Sequence, residues 1–182
     1  MERRDETIMD IMKEAGRLLY LLRHAKSDWG EPATPDIDRP LAPRGRKAAR
    51  AMGRYLKNSG ISPELILCSP ARRTRQTLEL IAEVWGVAPK VSFEPWLYTA
   101  SASTLLANLQ ALPPRTVSAM FIGHNPGMEE LAATLAGTGA DLARLRDKFP
   151  TGALAALEVP DWRRLAPGCA ELVTFVVPRD LS

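Results

Sequence analysis

The chain contains two histidines, His24 and His124, and each lies one residue beyond a short, nearly continuous apolar run. His24 follows RLLYLLR, residues 17–23, and sits in Arg23-His24-Ala25-Lys26-Ser27. His124 follows TVSAMFIG, residues 116–123, and sits in Gly123-His124-Asn125-Pro126. A third run, ELILC, residues 64–68, leads into Ser69-Pro70-Ala71-Arg72-Arg73. Runs of this kind are what strands buried on both faces require. In open α/β sheets ligands bind beyond the carboxyl ends of the strands, so these three ends can bring two imidazoles and several guanidinium groups to one edge. Such a pocket suits a phosphate dianion. Arginine forks bind its oxygens in pairs and neutralise charge as a phosphoryl group moves, and helix N-termini at the same edge add free N–H groups and partial positive charge.

The elements that must position these residues follow from periodicity and punctuation. After His24 comes a Pro-rich, acidic loop, DWGEPATPDIDRPL, with four prolines between Pro32 and Pro43. Residues 44–59 form an amphipathic helix, with Ala48, Ala51, Met52, Tyr55 and Leu56 on one face and Gly60 as its stop. Ser69-Pro70 has the form of an N-cap followed by proline at the first helical position, opening a helix that runs to about Trp85. A strand near residues 90–93 leads into a helix over about 101–112. Asn125-Pro126 opens another helix, ending near Gly137. Two late runs, 153–159 and 171–177, read as a terminal hairpin. Strands alternating with helices predict a three-layer α/β/α sandwich around a mainly parallel sheet, closed by that C-terminal hairpin. Residues 1–16 read as a charged N-terminal extension, a short helix with Ile8, Met9, Ile11 and Met12 on one stripe or a loose arm, and residues 17–182 as a single catalytic domain.

Composition narrows the setting. With 182 residues and 46% apolar content the chain can bury a full core. Its 24 Lys and Arg against 21 Asp and Glu leave +3, scattered rather than blocked, which speaks against a generic nucleic-acid binder. No apolar run reaches the ~18 residues of a membrane span, and the first residues lack the apolar core of a secretion signal. Cys68 and Cys169, the only cysteines, give neither a disulfide framework nor zinc-ligand spacing. A reducing, cytoplasmic setting is the expectation, with no metal, no cofactor, no membrane and no nucleic acid; the oligomeric state is not legible.

Arg23-His24 at the end of the first strand resembles the Arg-His-Gly signature of the histidine-phosphatase (phosphoglycerate-mutase-like) superfamily, with Ala25 in place of the glycine. SPARRTRQTLE resembles the family's second arginine motif and IGHNP its second histidine motif. The order and spacing fit over residues 17–177, and the short chain without a large insertion looks most like the SixA-type phosphohistidine phosphatases. The resemblance implies that His24 is a nucleophile, that Arg23, Arg73 and His124 hold the phosphoryl oxygens, and that water then hydrolyses a phosphohistidine intermediate. The implied partner is a phosphate-bearing substrate such as a phosphorylated signalling protein.

Two positions depart from family members that act on small esters: Lys26 stands in place of their glutamate and Gly30 in place of their asparagine. Lys26 and Ser27 are expected to contact the anion, and Glu94 and Asp28 are the candidates for general acid. Other readings stay beside this one. Asp28, Asp38 and Arg39 can simply pair within the loop, Glu94 can be structural, Arg72 and Arg75 read as solvated helix charges, and Trp29, Trp96 and Tyr98 can wall a pocket or only pack. A cysteine phosphatase on Cys68 needs an arginine where the chain has Thr74, and two-histidine metal binding lacks a third ligand. A mutase needs substrate-holding elements that the chain does not show. A small-molecule phosphomonoesterase and a non-catalytic phosphate-recognition module remain the alternatives.

Overall fold

The computed structural model describes residues 16–29, 33–87 and 90–181. The charged N-terminal extension, apart from Gly16, and Gly30 lie outside these. Seven strands, β1 (Arg17–Arg23), β2 (Leu65–Cys68), β3 (Lys90–Phe93), β4 (Ser118–Gly123), β5 (Ala136–Thr138), β6 (Leu154–Val159) and β7 (Ala170–Val176), form one sheet in the order β3-β2-β4-β1-β6-β7-β5. β3, β2, β4 and β1 run parallel to their neighbours. β6 is antiparallel to both β1 and β7, which is the expected terminal hairpin, and β5 pairs parallel to β7 at the edge. The helices described are α1 (Pro43–Asn58), α2 (Arg72–Trp85), α3 (Ala102–Gln110), α4 (Gly127–Leu135) and α5 (Leu142–Asp147).

The period-2 alternation of a strand divides the core between two faces. Leu19 and Leu21 of β1, with Ala119 and Phe121 of β4, pack into one cluster with Leu105 and Leu109 of α3 and Leu131 of α4. Tyr20 and Leu22, with Met120, Ile122, Ile66 and Cys68, face Met52 and Leu56 of α1 and Ile81 and Trp85 of α2. Helices therefore cover both sides of the sheet, the three-layer α/β/α sandwich that the sequence predicts. Trp162, fully buried, fixes the β6–β7 connection by donating its indole N–H to the Thr116 carbonyl at 2.7 Å.

One helix start differs from expectation: Ser69-Pro70 precedes α2, which begins at Arg72 with Ala71 as its N-cap, whereas Asn125-Pro126 opens α4, with Pro126 as the N-cap and Gly127 as the first residue. The Ser69 hydroxyl accepts instead from the Ala71 N–H at 3.4 Å and from His124, as described below. β5 and α5 are too short to leave a periodic signature, and both fall where the sequence shows only the end of a helix and a polar stretch.

The first turn of α1 lies directly on the chain just past β1. Ala42 donates its N–H to the Lys26 carbonyl at 2.9 Å, and a Cβ at Gly45 would collide with that same carbonyl. Backbone meets backbone there, so neither side can yield by a rotamer change. Gly45→Ala should destabilise the protein by ~1–3 kcal/mol, the range for overpacking, and displace the segment after His24. Urea unfolding measures this, and wild-type stability in the variant would show that the contact is not tight.

Candidate active site

Strand register decides which residues meet. β1 and β4 pair in parallel with Leu22 opposite Ile122 and Arg23 opposite Gly123, so His24 and His124 emerge side by side. β2 pairs with the other edge of β4, Cys68 opposite Ile122, and this places Ser69 next in line. The ladder continues one step past the strands, with His24 N–H on the Gly123 carbonyl at 3.1 Å and Ser69 N–H on the Ile122 carbonyl at 3.0 Å. The two imidazole centroids end 5.1 Å apart, tilted by 51°.

His24 is 8% exposed, and its Nδ1 donates to the Ala25 carbonyl at 2.7 Å. That bond fixes the tautomer and leaves the Nε2 lone pair unprotonated. Ala25, in the place of the expected glycine, is fully buried against Leu41, Ala49 and Leu80, and its N–H donates to Thr77 Oγ1 at 3.0 Å. Arg73 is 7% exposed, and its Nη2 donates to His124 Nδ1 at 3.3 Å. A guanidinium can only donate, so His124 carries its hydrogen on Nε2, which donates to Ser69 Oγ at 2.8 Å. Arg23 Nη1 donates to the Phe149 carbonyl at 2.8 Å, a carbonyl also held by Asn125 Nδ2 at 3.0 Å. Arg23 Nε is buried without a protein partner among the described residues.

Both imidazoles are neutral at physiological pH. Burial, reinforced by the neighbouring His124, Arg73 and Arg23 and opposed by the Ala25 carbonyl, pushes the His24 pKa down to about 3. Burial and the neighbouring Arg73 push His124 down to about 4, with Asp36 opposing. Cys68 is buried at the end of β2 and donates to the Ser69 carbonyl at 3.4 Å, and burial raises its pKa to about 12. A thiol of that kind is not a nucleophile.

Asp36, which the sequence did not single out, is the carboxylate in this cluster. It sits on a 3-10 turn of the Pro-rich loop, Asp36–Asp38. Its Oδ2 accepts from Tyr98 at 2.6 Å and from Arg73 Nη2 at 3.0 Å, its Oδ1 accepts from Arg39 at 2.8 Å, and its carbonyl accepts from Arg73 Nη1 at 2.7 Å. The Tyr98 hydroxyl, Arg39 and Arg73 together hold the carboxyl well below the usual carboxylate range, so Asp36 is an anion that aims Arg73 rather than a proton donor. Tyr98 also sets its ring edge against His124 at 5.6 Å. The signal available for Asp36 was its place three residues before Arg39 on the loop that must fold back over His24.

The remaining expectations divide. Lys26 is half-buried and lines a groove together with Arg23. Ser27 is buried, but its hydroxyl accepts from Arg39 at 2.9 Å, so it braces the loop. Glu94 has both oxygens engaged, by the Ser92 hydroxyl at 2.6 Å and the Trp96 indole at 3.0 Å, which is its structural reading. Asp28 is exposed, and its carbonyl accepts from Arg39 at 3.0 Å. Trp29 lies exposed under Arg39, and Trp96 packs edge-on against Phe121; of the three aromatics only Tyr98 reaches the histidine pair.

Comparison with known proteins shows the family. The family model of the histidine phosphatase superfamily (branch 1) matches residues 19–97. Phosphohistidine phosphatase SixA of Escherichia coli is 32% identical over 119 residues, spanning 64% of this chain and 73% of that protein. The crystal structure of the candidate phosphohistidine phosphatase SixA of Agrobacterium tumefaciens superposes with a TM-score of 0.77 at 32% identity, covering 90% of this chain and 99% of that one. A SixA structure complexed with tungstate gives 0.74 at 26% identity, covering 91% and 99%. The chain belongs to the histidine phosphatase superfamily. Membership and the SixA-like neighbours make this chain a phosphatase, a hydrolase in class.

The neutral histidines have a measurable consequence. Between the ordinary imidazole value and the folded values of about 3 and about 4, the unfolded chain binds more protons than the folded one. Stability should therefore be fully present above pH ~6.5 and fall as the pH drops toward 4, by up to ~1.4 kcal/mol per pH unit for each histidine. With only two histidines in the chain, imidazole NMR reads both directly. Neither should titrate between pH 5 and 8, and a midpoint near 6.5 for either would contradict the buried, neutral pair.

Proposed function

We propose that this phosphatase hydrolyses phosphohistidine on proteins, with His24 as the nucleophile. The observation that carries the reading is the state of His24. It is a neutral imidazole with Nδ1 tied to Ala25 and the Nε2 lone pair left over, beside His124 and Arg73. Nε2 attacks phosphorus in line, the bond from phosphorus to the substrate nitrogen breaks as the substrate imidazole, protonated from solvent on its other ring nitrogen, departs neutral, and the phosphoryl group rests on His24. Water then attacks, the phosphorus–His24 bond breaks, and phosphate leaves with its proton released to solvent. Arg23, Arg73 and His124 are proposed to hold the non-bridging oxygens, Arg73 being aimed by Asp36 and His124 donating through Nε2–H. These donors are built before substrate arrives, which is how electrostatic stabilisation lowers a barrier without reorganisation.

Phosphohistidine is favoured over an alkyl phosphate because the carboxylate in the cluster is no acid. Asp36 is held as an anion, and Glu94 has both oxygens occupied. An imidazole leaving group depends less on protonation than an alkoxide does. The similarity to SixA phosphatases, one of them binding tungstate, supports the same substrate class. Lys26, at the mouth of the site, is proposed to add charge for the incoming anion.

Rapid quench during turnover should trap an acid-labile, alkali-stable phosphate on His24, and His24→Ala should abolish both adduct and turnover. Arg73→Ala should slow turnover by ~10²–10³-fold, the scale of other oxyanion stabilisers. Turnover should survive exhaustive chelation, because Arg23 and Arg73 supply the positive charge. Equal activity in His24→Ala sinks the mechanism. A sugar phosphate or nucleotide with kcat/KM above every phosphohistidine peptide sinks the substrate class and leaves the histidine chemistry in place.

A further inference from the structure

Arg23 and Lys26, which flank His24 and Ala25 in the chain, line a depression of about 640 Å³ whose cations also include Arg44, Lys148 and Arg179. A second depression of about 320 Å³ adjoins it, sharing Arg44, Ala48, Pro178 and Arg179 and adding Lys47 and Arg54. The outer wall is one stripe of α1. Arg44, Lys47, Ala48, Ala51 and Arg54 recur at the 3–4-residue spacing of a single helix face, and the ten steps of ~1.5 Å from Arg44 to Arg54 span ~15 Å. The two alanines keep the floor low between the charged side chains.

The charges along this trough are unbalanced. Lys26, Arg44, Lys47, Arg54, Lys148 and Arg179 make no side-chain hydrogen bond or salt bridge among the described residues, whereas Arg144 on the same rim is held by Asp141 and Asp180. Asp147 is the one carboxylate in the lining of either depression. Six cations of this chain thus line two adjoining depressions, the first of which is also lined by Arg23, next to His24 in the chain.

We propose that this trough is a docking site for an acidic segment of the phosphorylated protein, flanking its phosphohistidine; this rests on the protein-phosphohistidine reading above. A small metabolite filling the first depression cannot also reach Arg54. A single-stranded nucleic acid would call for exposed rings on which bases stack. The one aromatic residue in the lining, Phe175, is 2% exposed and lies beneath Arg144. An acidic peptide needs only a row of cations, and exposed pairs of this kind act chiefly on encounter and orientation.

The test is fluorescence anisotropy at ~0.05 M salt with three unphosphorylated probes: an Asp/Glu-rich peptide, its Asn/Gln counterpart, and a single-stranded DNA of equal charge. The acidic peptide should bind about tenfold more tightly than the neutral one, or by ~1.4 kcal/mol. Lys47→Glu/Arg54→Glu should erase that preference, and so should ~0.5 M salt, which shortens the screening length. Lys47→Gln/Arg54→Gln, without charge reversal, should reduce it. In turnover, kcat/KM for a phosphohistidine peptide with an acidic flank should fall about tenfold in the charge-reversed variant, while turnover of phosphoramidate, too small to span the trough, stays unchanged. Equal binding of acidic and neutral peptides, or a preference that survives both double substitutions, overturns the proposal. DNA binding tighter than the acidic peptide overturns the choice of partner. If the acidic peptide binds as expected but no phosphohistidine peptide is hydrolysed, the trough stands and the substrate reading falls.

Discussion

Everything at the candidate site hangs on the parallel pairing of β4 with β1 on one side and β2 on the other. Leu22 opposite Ile122, and Cys68 opposite Ile122 across the other edge, fix three strand ends at one level. The register is itself held by the core, because Leu19 and Leu21 must face α3 and α4 while Tyr20 and Leu22 face α1 and α2. A slip of one residue would turn each set to the wrong layer. The 5.1 Å between the imidazoles is thus a by-product of hydrophobic burial, and the chemistry borrows a geometry that packing alone enforces.

Burial at that level also sets the electrostatics. A buried imidazole resists protonation, and two guanidinium groups nearby strengthen the resistance. The same burial would be costly for Arg73 unless its donors were satisfied, and a buried charge needs both pairing and hydrogen bonds. Asp36 meets that need with its carboxylate and its carbonyl, while His124 takes a third donor. The loop carrying Asp36 is in turn braced by Arg39, which reaches Asp36, Ser27 and the Asp28 carbonyl. Anion-binding arginine and neutral histidine are therefore one arrangement, and the proposed nucleophile owes its lone pair partly to groups that never touch it.

The sequence made the strand-end histidines legible because a buried strand, a polar break and a helix leave a strong pattern, and Arg23 and Arg73 came with them. The alternation that sorts the core was legible for the same reason. Asp36 was not, since the Pro-rich loop has no period and its partners, Arg73 and Tyr98, lie 37 and 62 residues away. Ser69 looked like a helix cap because its neighbours fit that pattern, and only the position of His124 diverts its hydroxyl. Ser27 and Glu94 were placed by proximity in sequence to the right motif, but each has a nearer structural partner. The cations of the trough are spread from Lys26 to Arg179, so the linear charge pattern gives no sign that the fold brings them together.

The two kinds of positive charge at this sheet edge can then be set apart by how they are held. Arg73 is buried and bonded on both Nη groups, and Arg23 is anchored on the Phe149 carbonyl. Groups fixed in this way can discriminate a transition state, because their geometry is settled before the reaction. Arg44, Lys47 and Arg54 are exposed and unpaired on a helix face. Each is worth little as a contact and is screened by salt, yet a row of them raises the rate of encounter with an acidic partner. Under the proposed reading, the buried set therefore acts on the chemical step and the exposed set on capture. Removing exposed charges should change which phosphoproteins are reached, while the fate of a phosphoryl group already seated against His24 depends on the buried ones.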